Sequence, residues 1–222
     1  FGFLDAFDPG YICNHSDTSG RYAFDQQPDV AAWNLTKLAQ TLVPLMSVEA
    51  ASSAISEYPQ VFGRAYLERM AAKFGLPPGS ETAKLVMDAL QLLAQNHVDY
   101  TIFLRRLCDF DSGENSHNTL RDLFLDRAAF DAWAARYAAA LRQQGSLDAE
   151  RGPAMRAINP KYILRNHLAE IAIRRATDER DYSEINRLHA LLTHPFDEQP
   201  EYEPYAAEPP DWARKIEVSC SS

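Results

Sequence analysis

The chain has 222 residues, 46% of them hydrophobic and 11% aromatic, and carries a net charge of −9. That length suffices for one domain with a sizeable core, or one domain with a wrapping tail. The negative charge argues against nonspecific binding to nucleic acid or anionic lipid, and apolar runs of only a few residues exclude a helical bilayer span.

The first stretch, Phe1 to Tyr22, interleaves five aromatics with glycines, aspartates, a histidine, an arginine and a cysteine, and has no helical period. Disordered tails lack such aromatics. Asp8-Pro9-Gly10 and Asp17-Thr18-Ser19-Gly20 are turn signals, so the stretch is expected to fold back on itself as a structured loop. On composition alone it is a capping loop packed on a helical domain.

Helices follow. Apolar residues at 31, 35, 38 and 42 share one helical face, which predicts an amphipathic helix over 29–43 between Pro28 and Pro44. Further helices are expected over 47–58, ended before Pro59, and over 64–74, stopped by Gly75. After the break Leu76-Pro77-Pro78-Gly79 come 81–95, with Leu85, Ala89, Leu92 and Leu93 on one face, and 99–107. Asp109 to Glu114 tempts one toward calcium, but Gly falls at loop position 5 and position 12 is Leu120, so the pattern fails and a solvated turn is expected. Helices are then expected over 119–125 and 127–144, the latter anchored by Trp133, Tyr137 and Leu141 and ended by Gly145. Residues 146–153 read as a polar linker. Asn159-Pro160 reads as a helix start carrying Ile163, Leu164, Leu168, Ile171 and Ala172 inward, with Arg165 on the adjoining face. The last long helix is expected over 182–192. Beyond Thr193, five prolines among aromatics and acids forbid a regular helix and favour an extended path laid along the body. No segment shows strand alternation.

Cys13, Cys108 and Cys220 form no Cys-x-x-Cys pair, which argues against a zinc site and a disulfide-rich secreted fold. They read as thiols in a reducing compartment, with Cys108 a small buried residue near a helix end.

FGFLDAFDP, then ICNHSDTSGRYAFDQQP, resembles the segment after the nucleotide-site Asp-Tyr-Gly-Pro of the selenoprotein O family, protein adenylyltransferases with a protein-kinase-like fold. Further motifs in family order are Ala32-Trp33-Asn34-Leu35, Asn159 to Asn166, His194 to Pro200 and Val218-Ser219-Cys220-Ser221-Ser222. The resemblance implies a C-terminal portion beginning just after the metal-binding Asp, which fits the absence of an initiator Met; Phe1-Gly2 is therefore not the Phe-Gly of a kinase metal motif. The implied fold is all-α: an activation-segment-like loop (1–28), a helical kinase-like C-lobe (29–192) and a Pro- and aromatic-rich wrapping tail (193–222).

The implied reaction moves AMP from ATP to a Ser, Thr or Tyr hydroxyl of a protein, with ATP and Mg (or Mn) held by the full-length parent. No catalytic or metal residue is expected in this fragment, which on its own is expected to be inactive and to hold no cofactor tightly. Expected partners are protein substrates and the N-terminal half of the same protein, not nucleic acid or membrane. A cytoplasmic location is expected, against a mitochondrial one in eukaryotic relatives. The resemblance also places Cys13 in the activation-loop equivalent and implies that it can pair with Cys220 as a labile redox latch, since Ser222 stands where animal members carry selenocysteine. His15 and Arg21 are candidates to line or brace the site; Asp5, Asp8 and Asp17 are explained as well by turns and caps. For Arg165, a plain ion pair stands beside a contact holding the upstream lobe. Two other readings stay open: a free-standing helical interaction module, and a hydrolase using Cys13 with His15 and Asp17.

Overall fold

A computed structural model describes residues 4–14, 16–113 and 118–216, the side chains of Arg214 and Lys215 excepted. The described residues are helical, with an isolated antiparallel bridge between Ala6 and Asp99 and no strand. In order they form α1 (Gln27–Leu42), α2 (Val48–Ser56), α3 (Tyr58–Lys73), α4 (Ser80–Asn96), α5 (Tyr100–Leu107) and the short α6 (Asn118–Arg121). Then come α7 (Arg127–Gln143), α8 (Asp148–Arg156), α9 (Asn166–Arg174), which runs into a π-helical turn at Arg175–Glu179, and α10 (Ser183–Leu192). None is long and apolar enough to cross a membrane.

Local chemistry sets several of these ends. Ser47, Asp99 and Asp126 each accept a hydrogen bond from the backbone N–H three residues on, capping α2, α5 and α7. Gly75 stops α3 at φ +62°, and a Cβ there would lie 2.6 Å from both Arg151 Cγ and Met155 Sδ, so only glycine fits.

The core forms where α4 lies on α7. Leu85, Val86, Ala89, Leu90 and Leu93 of α4 meet Phe130, Trp133, Ala134, Tyr137 and Leu141 of α7, with Phe74, Phe103, Leu107, Phe110 and Phe124 closing the cluster. Trp133 stacks on Tyr137 with centroids 5.1 Å apart. Both rings satisfy their polar ends: Trp133 Nε1–H donates to Leu85 O at 3.0 Å and Tyr137 Oη–H to Phe74 O at 2.6 Å. A smaller cluster joins Leu168 and Ala172 of α9 to Leu188 of α10, with Tyr205 packed against it.

The structure corrects the sequence reading in five places. Pro59 sits in the first turn of α3 and opens that helix rather than ending the one before it. Residues expected as a polar linker form most of α8, whose Arg151 is buried and ion-paired with Asp148. Asn159-Pro160 opens no helix: Asn159 is fully buried, its amide donates to Lys73 O at 2.8 Å, and α9 begins only at Asn166. The helix expected over 119–125 is a single turn. The described tail is not simply extended, for Pro200–Ala206 and Asp211–Lys215 are 3-10 turns.

Candidate functional site

The described residues from 4 to 26 form a loop built by its own aspartates. Asp8 Oδ1 accepts from Gly10 N at 2.9 Å. Asp17 accepts from the backbone N–H groups of Tyr22 (2.7 Å) and Arg21 (3.0 Å), and these donors hold its carboxyl below the usual range. The loop then docks on the body. Phe7 N–H donates to Val98 O at 2.9 Å and Tyr100 N–H to Asp5 O at 3.0 Å, while the buried Phe7 ring sits between Tyr100 and Phe24.

Arg165 is the anchor of that docking. It is the N-terminal cap residue of α9 and only 1% exposed. Its Nη1 lies 2.5 Å from Asp5 Oδ1 and 2.7 Å from Asp99 Oδ2, while Nη2 reaches Asp99 Oδ1 at 3.3 Å. Burial works against its charge, but the two carboxylates outweigh burial and raise its pKa. For Asp5 burial prevails over the guanidinium, and its pKa rises. One side chain, 160 residues beyond Asp5 and 66 beyond Asp99, thus joins the first loop to the cap of α5. Arg165, expected as an ion pair or as a contact to the upstream lobe, forms a buried ion pair with Asp5 and Asp99.

Beside Arg165, His167 is buried, its pKa lowered chiefly by that burial, and Trp212 of the tail meets its ring edge-on at 6.2 Å. On the same helix start, the Asn166 side chain hydrogen-bonds the Tyr11 hydroxyl. First loop and tail therefore converge on residues 165–167. Farther along, the stretches 159–166 and 194–200 pack on each other: Tyr162 Oη–H donates to Gln199 O at 2.9 Å, and Arg105 binds Asn159 O at 2.9 Å, Phe196 O at 3.1 Å and Glu198 at 2.6 Å. Lys161 pairs with Glu198 and Glu203, which overcome partial burial and raise its pKa.

The other sequence candidates fall apart in space. Arg21 is exposed, with its guanidinium 4.6 Å from the centroid of Trp33, and has no ion pair among the described residues. The ring face attracts the cation electrostatically. Cys13 is a half-buried free thiol; His15 and Cys220 lie outside the described residues. Cys108 is buried, its pKa raised by burial, and its thiol lies 3.3 Å from Leu104 O. That environment suits packing rather than nucleophilic chemistry.

A cavity of about 360 Å³ opens between the first loop, the α4–α5 junction and the tail, lined by Asp5, His97, Asp99, Asp122 and Glu208 among others. Its carboxylates would repel a phosphate, and Asp5 and Asp99 already serve Arg165. No group of His, Cys, Asp or Glu among the described residues could hold a metal ion. What the arrangement does is position a loop. Sequence reading missed Asp99 and His167 in this role. The capping pattern of Asp99 was visible, but nothing local marked its partner 66 residues away.

The sequence that builds this loop and the helical body matches that of a known class of transferase. The family model for Protein adenylyltransferase SelO matches residues 1–193, and the chain belongs to that family. Among curated proteins it is 78% identical to "Protein nucleotidyltransferase YdiU" of Thiobacillus denitrificans, over all of this chain and 46% of that protein. Proteins of the same name from Burkholderia vietnamiensis and Cupriavidus metallidurans are 50% and 52% identical, again over all of this chain and 46% and 44% of theirs. The chain thus spans less than half the length of the curated relatives it matches.

Proposed function

We propose that this chain is the helical C-terminal part of a protein adenylyltransferase, with the architecture of a protein-kinase-like C-lobe, and that it positions the loop bordering the nucleotide site. In the reaction a Ser, Thr or Tyr hydroxyl of a protein attacks the α-phosphorus of ATP, the bond to the β-phosphate oxygen breaks, pyrophosphate leaves and the hydroxyl proton passes to a base. ATP with Mg or Mn would supply the electrophile and neutralise phosphate charge. The described residues do not fit that group, since none of their clusters could hold the metal, so this reading assigns the nucleotide and metal to the remainder of the polypeptide and derives no step through them here.

The observation that carries the reading is the Arg165–Asp5–Asp99 ion-pair cluster around a buried guanidinium, which anchors a loop of this composition against the body. Positioning of this kind is a large part of what transfer to phosphorus requires. Arg21, held over the Trp33 ring, lies in the same loop.

The test is transfer by the full-length polypeptide from ATP labelled at the α- or the γ-phosphate. Label from the α-position on protein, with pyrophosphate released, is expected. Label from the γ-position only, or protein binding without nucleotide dependence, would contradict it; the latter would favour a helical interaction module.

A redox latch between Cys13 and Cys220 belongs to the same reading. Trp212 sits on His167 while Tyr11 bonds Asn166, so tail and loop meet on one helix start. From Ile216 to Cys220 an extended chain reaches about 13 Å. Oxidation by a disulfide such as oxidised glutathione would join the two sulfurs, with two electrons and two protons passing to the oxidant. A Cys13–Cys220 peptide in a non-reducing map is the expected result; free alkylation of both after oxidation would rule the latch out.

A further inference from the structure

Helices α1, α2 and α3 are 16, 9 and 16 residues long, yet bury only Ala51, Met70 and Ala71. By contrast α4, with 17 residues, buries Leu85, Val86, Ala89, Leu90 and Leu93 as well as two polar residues. The apolar stripe of α1 faces outward: Leu35, Leu38 and Leu42 are 38%, 55% and 36% exposed, and Leu45 just beyond is 85% exposed. Between Asp29 and Glu49 the sole ionisable side chain is Lys37. Single exposed leucines are ordinary, but a charge-depleted apolar run of this length is the composition of a buried interface. Helix α1 lies against α2 and α3, yet none of its residues is buried there, and helices draw most of their stability from an apolar face laid against a neighbour.

We infer that the outward face of α1 and the turn after it is the seat of that part of the same polypeptide which lies outside these residues. The inference rests on reading the chain as one portion of a longer transferase. Two observations favour that occupant. The relatives, at up to 78% identity, run to more than twice the span this chain covers, so a large covalently attached segment is available to bury the stripe. Attachment also gives that segment an effective concentration that a separate partner lacks. The near absence of charge fits a face buried once, at folding, better than one that opens repeatedly to water.

The experiment places single cysteines by Leu38→Cys and Leu45→Cys in the full-length polypeptide and reads thiol labelling at each site by peptide mass. Labelling at both sites at least about 100-fold slower than in the unfolded chain, and unchanged on dilution to the monomer, is the expected result. Labelling at the unfolded rate in the monomer overturns the inference. Protection that disappears on dilution overturns it too, in favour of a second copy. Should the variants fail to fold, peroxide oxidation of the unaltered protein serves instead. Met46, 41% exposed here, is then expected to be protected, and oxidation at its unfolded rate overturns the inference. Absence of AMP transfer by the unaltered full-length polypeptide, with protection intact, would retire the transferase reading and leave the burial of this face standing.

Discussion

The two halves of the helical body differ in how completely they are built. From α4 to α7, facing helices supply each other's cover: Trp133 and Tyr137 are at most 1% exposed and have their polar atoms bonded across the interface. From α1 to α3 the sequence has the same helical spacing of apolar residues, yet Leu38 stays 55% exposed. An amphipathic pattern states that a face will be buried; it does not state by what. The α4–α7 region finds its partner within these residues, whereas α1 requires one from elsewhere in the polypeptide.

Substitutions can sharpen or break that contrast. The largest effect is expected where the first loop is tied to α5: Arg165→Met leaves the buried carboxyl of Asp99 and the half-buried one of Asp5 without their cation and should cost ~3–5 kcal/mol in denaturant unfolding. A cost below about 1 kcal/mol would mean that the first loop is not held there. In the finished region, Leu93→Ala removes a fully buried side chain and should cost ~2–5 kcal/mol. The same change at Leu38, in this chain alone, should stay within ~0.5 kcal/mol; equal effects would erase the contrast. Gly75→Ala forces a left-handed backbone on a residue whose Cβ meets Arg151 and Met155, and should cost ~1–3 kcal/mol by thermal unfolding.

The smallest expected effect is one of pH. Burial lowers the His167 pKa below 6.5, so as pH falls the unfolded chain takes up the proton first. Stability present at neutral pH should decline as pH drops through 6.5 toward the folded value, and His167→Gln should flatten that part of the profile. Asp5, raised by burial, acts in the opposite sense at more acid pH. A melting temperature unchanged between neutral and mildly acid pH in both proteins would refute the assignment.

Much of this was legible in the sequence. Helical spacing and capping residues place most helices to within two or three residues, and the loop expected from the aromatics of the first stretch is seen over its described residues, 4–14 and 16–22. Two of the failures share a physical cause: Arg151 and Asn159 were read from neighbours in sequence, but their roles depend on partners far along the chain, whereas Pro59 is a local matter, a first-turn residue of α3 rather than the end of α2. Asn159, for example, is buried against Lys73, 86 residues away. Arg151 looked like linker because a buried arginine is improbable until its acceptors, Asp148 and Phe110 O, are known. Of the site, Arg165 and Arg21 were named, but their separation into a buried anchor and an exposed stacked cation is purely tertiary.

The most direct test of the contrast between a finished and an unfinished region is hydrogen exchange, read helix by helix, on this chain alone and on the full-length polypeptide. In this chain alone, α1 amides should exchange through local opening while α4 and α7 exchange only on global unfolding; in the full-length polypeptide α1 should join the slow class. Equal protection of α1 and α4 in the short chain, or continued fast exchange of α1 in the long one, would contradict the account.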